Sequence, residues 1–160
     1  MTETLVWQWR TLDEMTAREV HDLLKLRQDV FVVEQACAFG EIDGRDPQAL
    51  HLLVFDPAQT ETQNNGNGTL VGTVRLFPAT ESDPASIGRV VIAPSQRRTG
   101  LGRKIMQEGI KKARGTAPHC LIEVSAQAHL EKFYGSLGFT TVSEMYLEDD
   151  IPHIDMRLSA

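Results

Sequence analysis

One segment restricts this chain more than any other. It is SIGRVVIAP, then SQRRTGLG, then RKIMQEGIKKARG, residues 86–115. The first part is a β-branched apolar run and reads as a strand ending at Pro94. From the end of the middle part onward, Leu101, Ile105, Gly109, Ile110 and Ala113 recur at helical spacing. Lys111, Lys112 and Arg114 crowd its end, where cations suit the negative pole of the helix dipole. A strand-to-helix turn needs one glycine at most, yet Gly100 and Gly102 stand here beside Arg97 and Arg98. Two glycines next to a basic pair imply a backbone that must come close to something negative.

The remaining segments fit around this unit. Leu5 to Arg10 alternates and reads as a strand. Thr16 and Glu19 stand in capping-box spacing before Val20, Leu23 and Leu24, so a helix is expected from Thr16 to Arg27. The β-branched stretch VFVVEQ after it either extends the helix or leaves it. Strands are expected at His51–Phe55, Thr69–Ala79 and in CLIEVSA. The polar segment DPAQTETQNNGNG, residues 56–68, reads as a mobile hairpin loop. AHLEKFYGSLGF reads as a helix with Gly138 as its cap. Two last strands are expected near Thr140–Tyr146 and His153–Leu158, joined by LEDDIP. The order of elements gives a mixed α/β sandwich around one sheet, in a single domain over residues 1–160.

Composition narrows the function. A chain of 160 residues with net charge −6 is not built to coat nucleic acid. The residues Met1–Arg10 lack a leader-like apolar core, and no apolar run reaches the roughly 18 residues of a membrane span. A soluble cytoplasmic protein is the expectation. Cys37 and Cys120 have neither CxxC spacing nor a histidine pair nearby, so no metal site or disulfide framework is indicated.

Three anion-binding designs compete for RRTGLG. A Walker A loop fails, because Arg103 follows Gly102 and no glycine stands five positions before it. A dinucleotide fingerprint fails, because Ile105 replaces its third glycine. The pattern R/Q-x-x-G-x-G/A fits at Arg97, Gly100 and Gly102.

With that loop, the chain resembles the GNAT superfamily of N-acetyltransferases. The motifs are IGRVVIAPSQRRTGLGRKIMQEGI, then CLIEVSA, then FYGSLGF, and they cover residues 50–139 well. LRQDVFVVEQACAFGEIDGRD, HLL, GRVVI, SAQAHLEKFY and EDDIPHIDM extend the likeness to the ElaA-type subfamily over nearly the whole chain. The resemblance implies the acyl-CoA N-acyltransferase fold, a mixed α/β fold whose central, mostly antiparallel sheet is flanked by helices. It implies acetyl-CoA as co-substrate and no metal. The pyrophosphate would lie on Arg97, Arg98, Thr99, Gly100, Leu101 and Gly102. The pantetheine arm would pair with Val90, Val91 and Ile92. Gln127 stands where many relatives have an asparagine that bonds this arm.

Direct transfer of an acetyl group to a primary amine poses two proton problems. An amine with a pKa of about 10.4 must lose a proton before it attacks, and the leaving thiolate gains one. Tyr134, at the family position in FY-x-x-x-GF, is the expected acid; it also lies on an apolar stripe with Leu130. The base is chosen among Glu34, Glu41, Asp43, His51, His153 and Glu123, with Glu34 favoured. Glu34, His51, Arg89 and His153 are the expected acceptor contacts. A buried Arg89 needs a partner, and Glu34 is one candidate. Carboxylates in residues 34–46 and 148–150 suit a cationic amine, whereas Arg75 and Arg89 suit an anion. Two rival readings stay open: transfer of a longer acyl chain, and a CoA-binding module without turnover. The sequence leaves the oligomeric state open; dimers are frequent in the family it resembles, so a homodimer is among the states open to it.

Overall fold

The computed structural model of the protein describes residues 4–59 and 68–160. Most of the expected hairpin loop, residues 60–67, lies outside the described residues. The strands are β1 (Val6–Thr11), β2 (Leu50–Asp56), β3 (Thr69–Phe77), β4 (Ala85–Ile92), β5 (Ile122–Gln127), β6 (Thr140–Thr141), β7 (Tyr146–Glu148) and β8 (Ile151–Leu158). The helices are α1 (Ala17–Gln28), α2 (Leu101–Thr116) and α3 (Glu131–Ser136). The strands form a mixed, mostly antiparallel sheet, as expected. The chain divides into two compact units, one of residues up to Arg75 with Arg89–Met106, the other of Leu76–Gly88 with Gln107–Ala160. β3, β4 and α2 run through both.

In the first unit the strand order is β1-β2-β3-β4. β1 pairs antiparallel with β2 from Val6 opposite Phe55 to Thr11 opposite Leu50. β2 is buried almost end to end, which explains why HLLVF reads as a continuous apolar run rather than an alternating one. α1 begins at the expected capping box: Glu19 N–H donates to Thr16 Oγ1 and Thr16 N–H to Glu19 Oε1. Its apolar stripe packs Leu23 with Met15, Leu53, Phe55 and Leu70, and Val20 and Leu26 close the edge. Fully burying one such side chain is worth about 1.5–3 kcal/mol. VFVVE does extend the helix, as a π-helical segment over Asp29–Glu34.

In the second unit the start of β4 pairs parallel with β5, Ala85 opposite Ile122. β5 pairs antiparallel with β8 over six residues, from Ile122 opposite Leu158 to Gln127 opposite His153. β6 and β7 both pair with β8. The single strand expected over Thr140–Tyr146 is therefore two short ones. Asp149 and Asp150 both have positive φ, 50° and 63°. That backbone makes a two-residue hairpin turn between β7 and β8, and β8 starts earlier than expected. α3 is short, preceded by a 3₁₀ turn at Ala128–Leu130, and ends at Gly138 with φ 99°.

Candidate functional site

The loop after β4 is built to stand open. A 3₁₀ turn at Pro94–Gln96 leads from the strand, and Ala93 N–H donates to Val71 O at 2.8 Å. Gln96 Nε2 donates to Asp56 Oδ2, and Thr99 Oγ1 to Gln96 O, fixing the approach. Arg98 and Gly100 then take positive φ, 63° and 81°. The sequence announced the second through glycine but carried no signal for the first. A Cβ on Gly100 would meet nothing within 4 Å, so this backbone faces open space. Lys104 N–H bonds to Gly100 O at 3.3 Å, and the amides of Leu101 and Gly102 stand before it at the start of α2. No acidic residue stands in the first turn of the helix to occupy its positive pole. Leu101, Ile105 and Met106 are buried and anchor the helix start. Of the strand before the loop, Val91 is buried while Val90 and Ile92 are half-buried.

Glu34 is brought to this loop. Arg97 Nη1 and Nη2 donate to its two carboxylate oxygens, both at 2.6 Å. The Arg97 hydrogen bond holds the Glu34 carboxyl below its ordinary range and outweighs the opposing effect of desolvation. So held, Glu34 is a weaker base than a free carboxylate.

Arg89 does not meet Glu34. The expected pairing is corrected to Glu41, with Arg89 Nε 2.8 Å from Glu41 Oε1 and Nη2 3.5 Å from Asp43 Oδ2. Arg89 sits at a positive φ of 53° inside β4, which turns its side chain toward residues 41–43. These contacts belong to a larger network. Arg27, 1% exposed, donates to both oxygens of Glu41 and to Asp46 Oδ1. Arg75 donates to both oxygens of Asp43 and to Asp46 Oδ1. Burial alone would raise the Asp43 and Asp46 carboxyls. Hydrogen bonds from Arg75 to Asp43, and from Arg27 and Arg75 to Asp46, hold both below the ordinary carboxylate range. Three arginines thus face three carboxylates, and Glu41 and Asp43 are committed as ion-pair partners.

His51 is fully buried. Its Nε2 lies 3.0 Å from Asp46 O; a carbonyl only accepts, so Nε2 carries the proton. Burial pushes its pKa down, which favours the neutral ring. The expected contact between His51 and an acceptor is therefore corrected: the ring supports the 46–51 segment and offers no surface.

Tyr134, Gln127 and His153 lie in the second unit. Tyr134 is 7% exposed, edge-on to Phe133 and Phe139 at centroid distances of 5.1 and 6.0 Å. Burial pushes its phenol up to about 12, so the proton stays on the oxygen at neutral pH. Gln127 and His153 are direct cross-strand partners. Glu123, another candidate base, is engaged by Arg157, whose Nε lies 3.0 Å from Oε1. Around His153 the structure gathers Tyr146, Ser125, Glu148 and Asp155. Of these the sequence pointed only to Glu148, as part of an acidic run; the others come together through strand register.

Known proteins share the sequence and the fold in which this strand–loop–helix unit stands. Residues 58–160 match the acetyltransferase (GNAT) domain family. Protein ElaA of Escherichia coli is 35% identical over 153 residues, 94% of each chain. The chain belongs to the ElaA-like branch of the GNAT superfamily. The crystal structure of that ElaA covers 98% of this chain and 100% of its own at a TM-score of 0.84 and 33% identity. An acyl-CoA N-acyltransferase from Pseudomonas aeruginosa covers 98% and 100% at a TM-score of 0.85 and 38% identity. A UPF0039 protein of Synechocystis is 39% identical over 151 residues, 94% of this chain and 92% of the relative. This GNAT protein is an acyltransferase with the acyl-CoA N-acyltransferase fold. Among the described residues, no helix is long and apolar enough to cross a membrane.

Proposed function

We propose that this GNAT protein works in the cytoplasm as a single catalytic domain and transfers acetyl from acetyl-CoA to a primary amine in a ternary complex. The observation that carries this reading is the open, positive-φ backbone at Gly100 beside the start of α2, whose first turn has no acidic residue. Such a helix start carries about half a positive charge and suits a diphosphate. Arg97 and Arg98 add charge beside it. The half-buried Val90 and Ile92 border an extended backbone that suits strand-like pairing with a pantetheine arm. Gln127 has the side-chain amide to bond that arm.

Bound acetyl-CoA supplies an activated thioester. Tyr134 keeps its proton at working pH and donates a hydrogen bond to the departing sulfur. No covalent enzyme intermediate is required, and neither Cys37 nor Cys120 is placed in this mechanism. The pairing with Arg97 argues against Glu34 as the base.

Thiol release from acetyl-CoA, followed across a panel of primary amines, tests the reading. The expected result is amine-dependent release that collapses in Gly100→Val. At φ 81° a side chain at that position costs about 1–2 kcal/mol and its branches enter the space given to the diphosphate. Tight CoA binding without release for any amine would make the protein a binding module. Release only from long-chain donors would reassign the acyl group.

A further inference from the structure

The second unit holds an imidazole whose orientation and tautomer are fixed by its neighbours. His153 lies on β8 between Gln127 of β5 and Tyr146 of β7, each its direct cross-strand partner. Its ring stacks on Tyr146 with centroids 6.1 Å apart and planes 25° from parallel. His153 Nδ1 lies 2.7 Å from Ile151 O. A carbonyl oxygen only accepts, so Nδ1 carries the proton, and in the neutral ring Nε2 presents its lone pair.

What Nε2 faces is another acceptor. Glu148 Oε2 lies 3.4 Å away. The neighbouring hydroxyls have acceptors of their own. Tyr146 Oη donates to Asp155 Oδ1 at 2.6 Å and lies 2.5 Å from Ser125 Oγ, which is 3.5 Å from Glu148 Oε2. With the ring neutral, a nitrogen lone pair and a carboxylate oxygen therefore stand side by side with no proton between them. His153 itself is nine-tenths buried, whereas Glu148 is more than half exposed, so the pair opens to solvent on the Glu148 side. A group carrying two or more N–H bonds and a positive charge would satisfy both acceptors at once. A primary ammonium is such a group.

We propose that His153 is the proton acceptor for the incoming amine and that Glu148 binds its ammonium form. This inference rests on the acetyltransferase reading, which places the pantetheine arm at Gln127, directly across the ladder from His153. The steps balance. His153 Nε2 takes one proton from the ammonium, leaving a neutral amine. The amine nitrogen bonds to the thioester carbonyl carbon, and the carbon–sulfur bond breaks with its electron pair on sulfur. Tyr134 gives its proton to that sulfur and regains one from the nitrogen of the new amide. His153 returns its proton to water, so each turnover yields amide, CoA thiol and one proton.

Two measurements test this. Nitrogen-15 NMR of histidine-labelled protein is expected to show that the neutral His153 ring carries its proton on Nδ1, with Nε2 bare. A bare Nδ1, or a ring protonated on both nitrogens in a fixed pair with Glu148, would overturn the proposal. In kinetics with acetyl-CoA and the best amine of the panel, His153→Ala is expected to lose about 100-fold in kcat. Added imidazole should restore part of that loss, and affinity for CoA should stay unchanged. Glu148→Gln, at an exposed position that leaves the fold intact, is expected to raise KM for the amine about tenfold with kcat little changed. Full turnover in His153→Ala, loss without rescue by imidazole, or an unchanged KM in Glu148→Gln would overturn it. Failure of the wild-type protein to bind CoA would instead remove the acetyltransferase reading itself.

Discussion

Two polar clusters in this molecule both contain carboxylates but hold them differently. In the first unit, Arg27, Arg75 and Arg89 meet Glu41, Asp43 and Asp46, and every one of these carboxylates is held by a guanidinium. In the second unit, Tyr146, Ser125, Asp155, Glu148 and His153 meet without an arginine among them. The first cluster cancels its own charge and is mostly buried, so it ties residues 41–51 to α1 and the sheet. The second sets the buried His153 ring beside Glu148, whose carboxylate is more than half exposed. A polar network closed on itself specifies structure, while one left open on a single side is suited to a ligand.

Breaking the closed cluster should give the largest effect. Arg27→Ala leaves Glu41 and Asp46 short of a buried partner and is expected to cost about 3–5 kcal/mol by chemical denaturation. A cost under about 1 kcal/mol would mean that the cluster is not what holds the segment. Tyr134→Phe is the next largest and falls on chemistry, with turnover down roughly 100-fold and CoA affinity unchanged. Because the phenol holds its proton up to about 12, this substitution should lower the pH–rate plateau without moving any alkaline limb below pH 11.

Acid should open the closed cluster gradually. The lowered pKa of His51 contributes stability that is complete above the ordinary histidine value of about 6.5 and is lost as pH falls below it. The lowered Asp43 and Asp46 add stability present above about 3.9 and lost as pH falls further, through their folded values. The denaturation midpoint is therefore expected to decline gently from pH 7 and steeply below pH 4; a flat profile would contradict the assignment. The smallest effect is expected at Glu34→Gln. That pair is exposed, so the melting temperature should not move measurably.

Local signals in the sequence gave good guidance to the fold. The capping box at Thr16 and Glu19, the glycine stop at Gly138 and the strand–RRTGLG–helix unit each depend on neighbours within a few residues. What could not be read was long in range. Arg89 finds Glu41, 48 residues away, and Arg97 finds Glu34, 63 residues away, because strand placement decides which side chains meet. The polar face around His153 depends on the register of β5, β7 and β8. That register in turn depends on a hairpin turn made by two aspartates at positive φ, where glycine or asparagine is the usual signal. The π-helical segment that carries Glu34 likewise follows from no local rule in VFVVE.

Calorimetric titration of CoA and of pantetheine, its fragment without the diphosphate and the phosphoadenosine, into the wild type and Gly100→Val tests the binding loop most directly. CoA is expected to bind at least about 100-fold more tightly than pantetheine, with most of that advantage gone in Gly100→Val. Equal affinity for the two compounds, or an undiminished advantage in Gly100→Val, would show that the diphosphate does not lie on the amides of this loop.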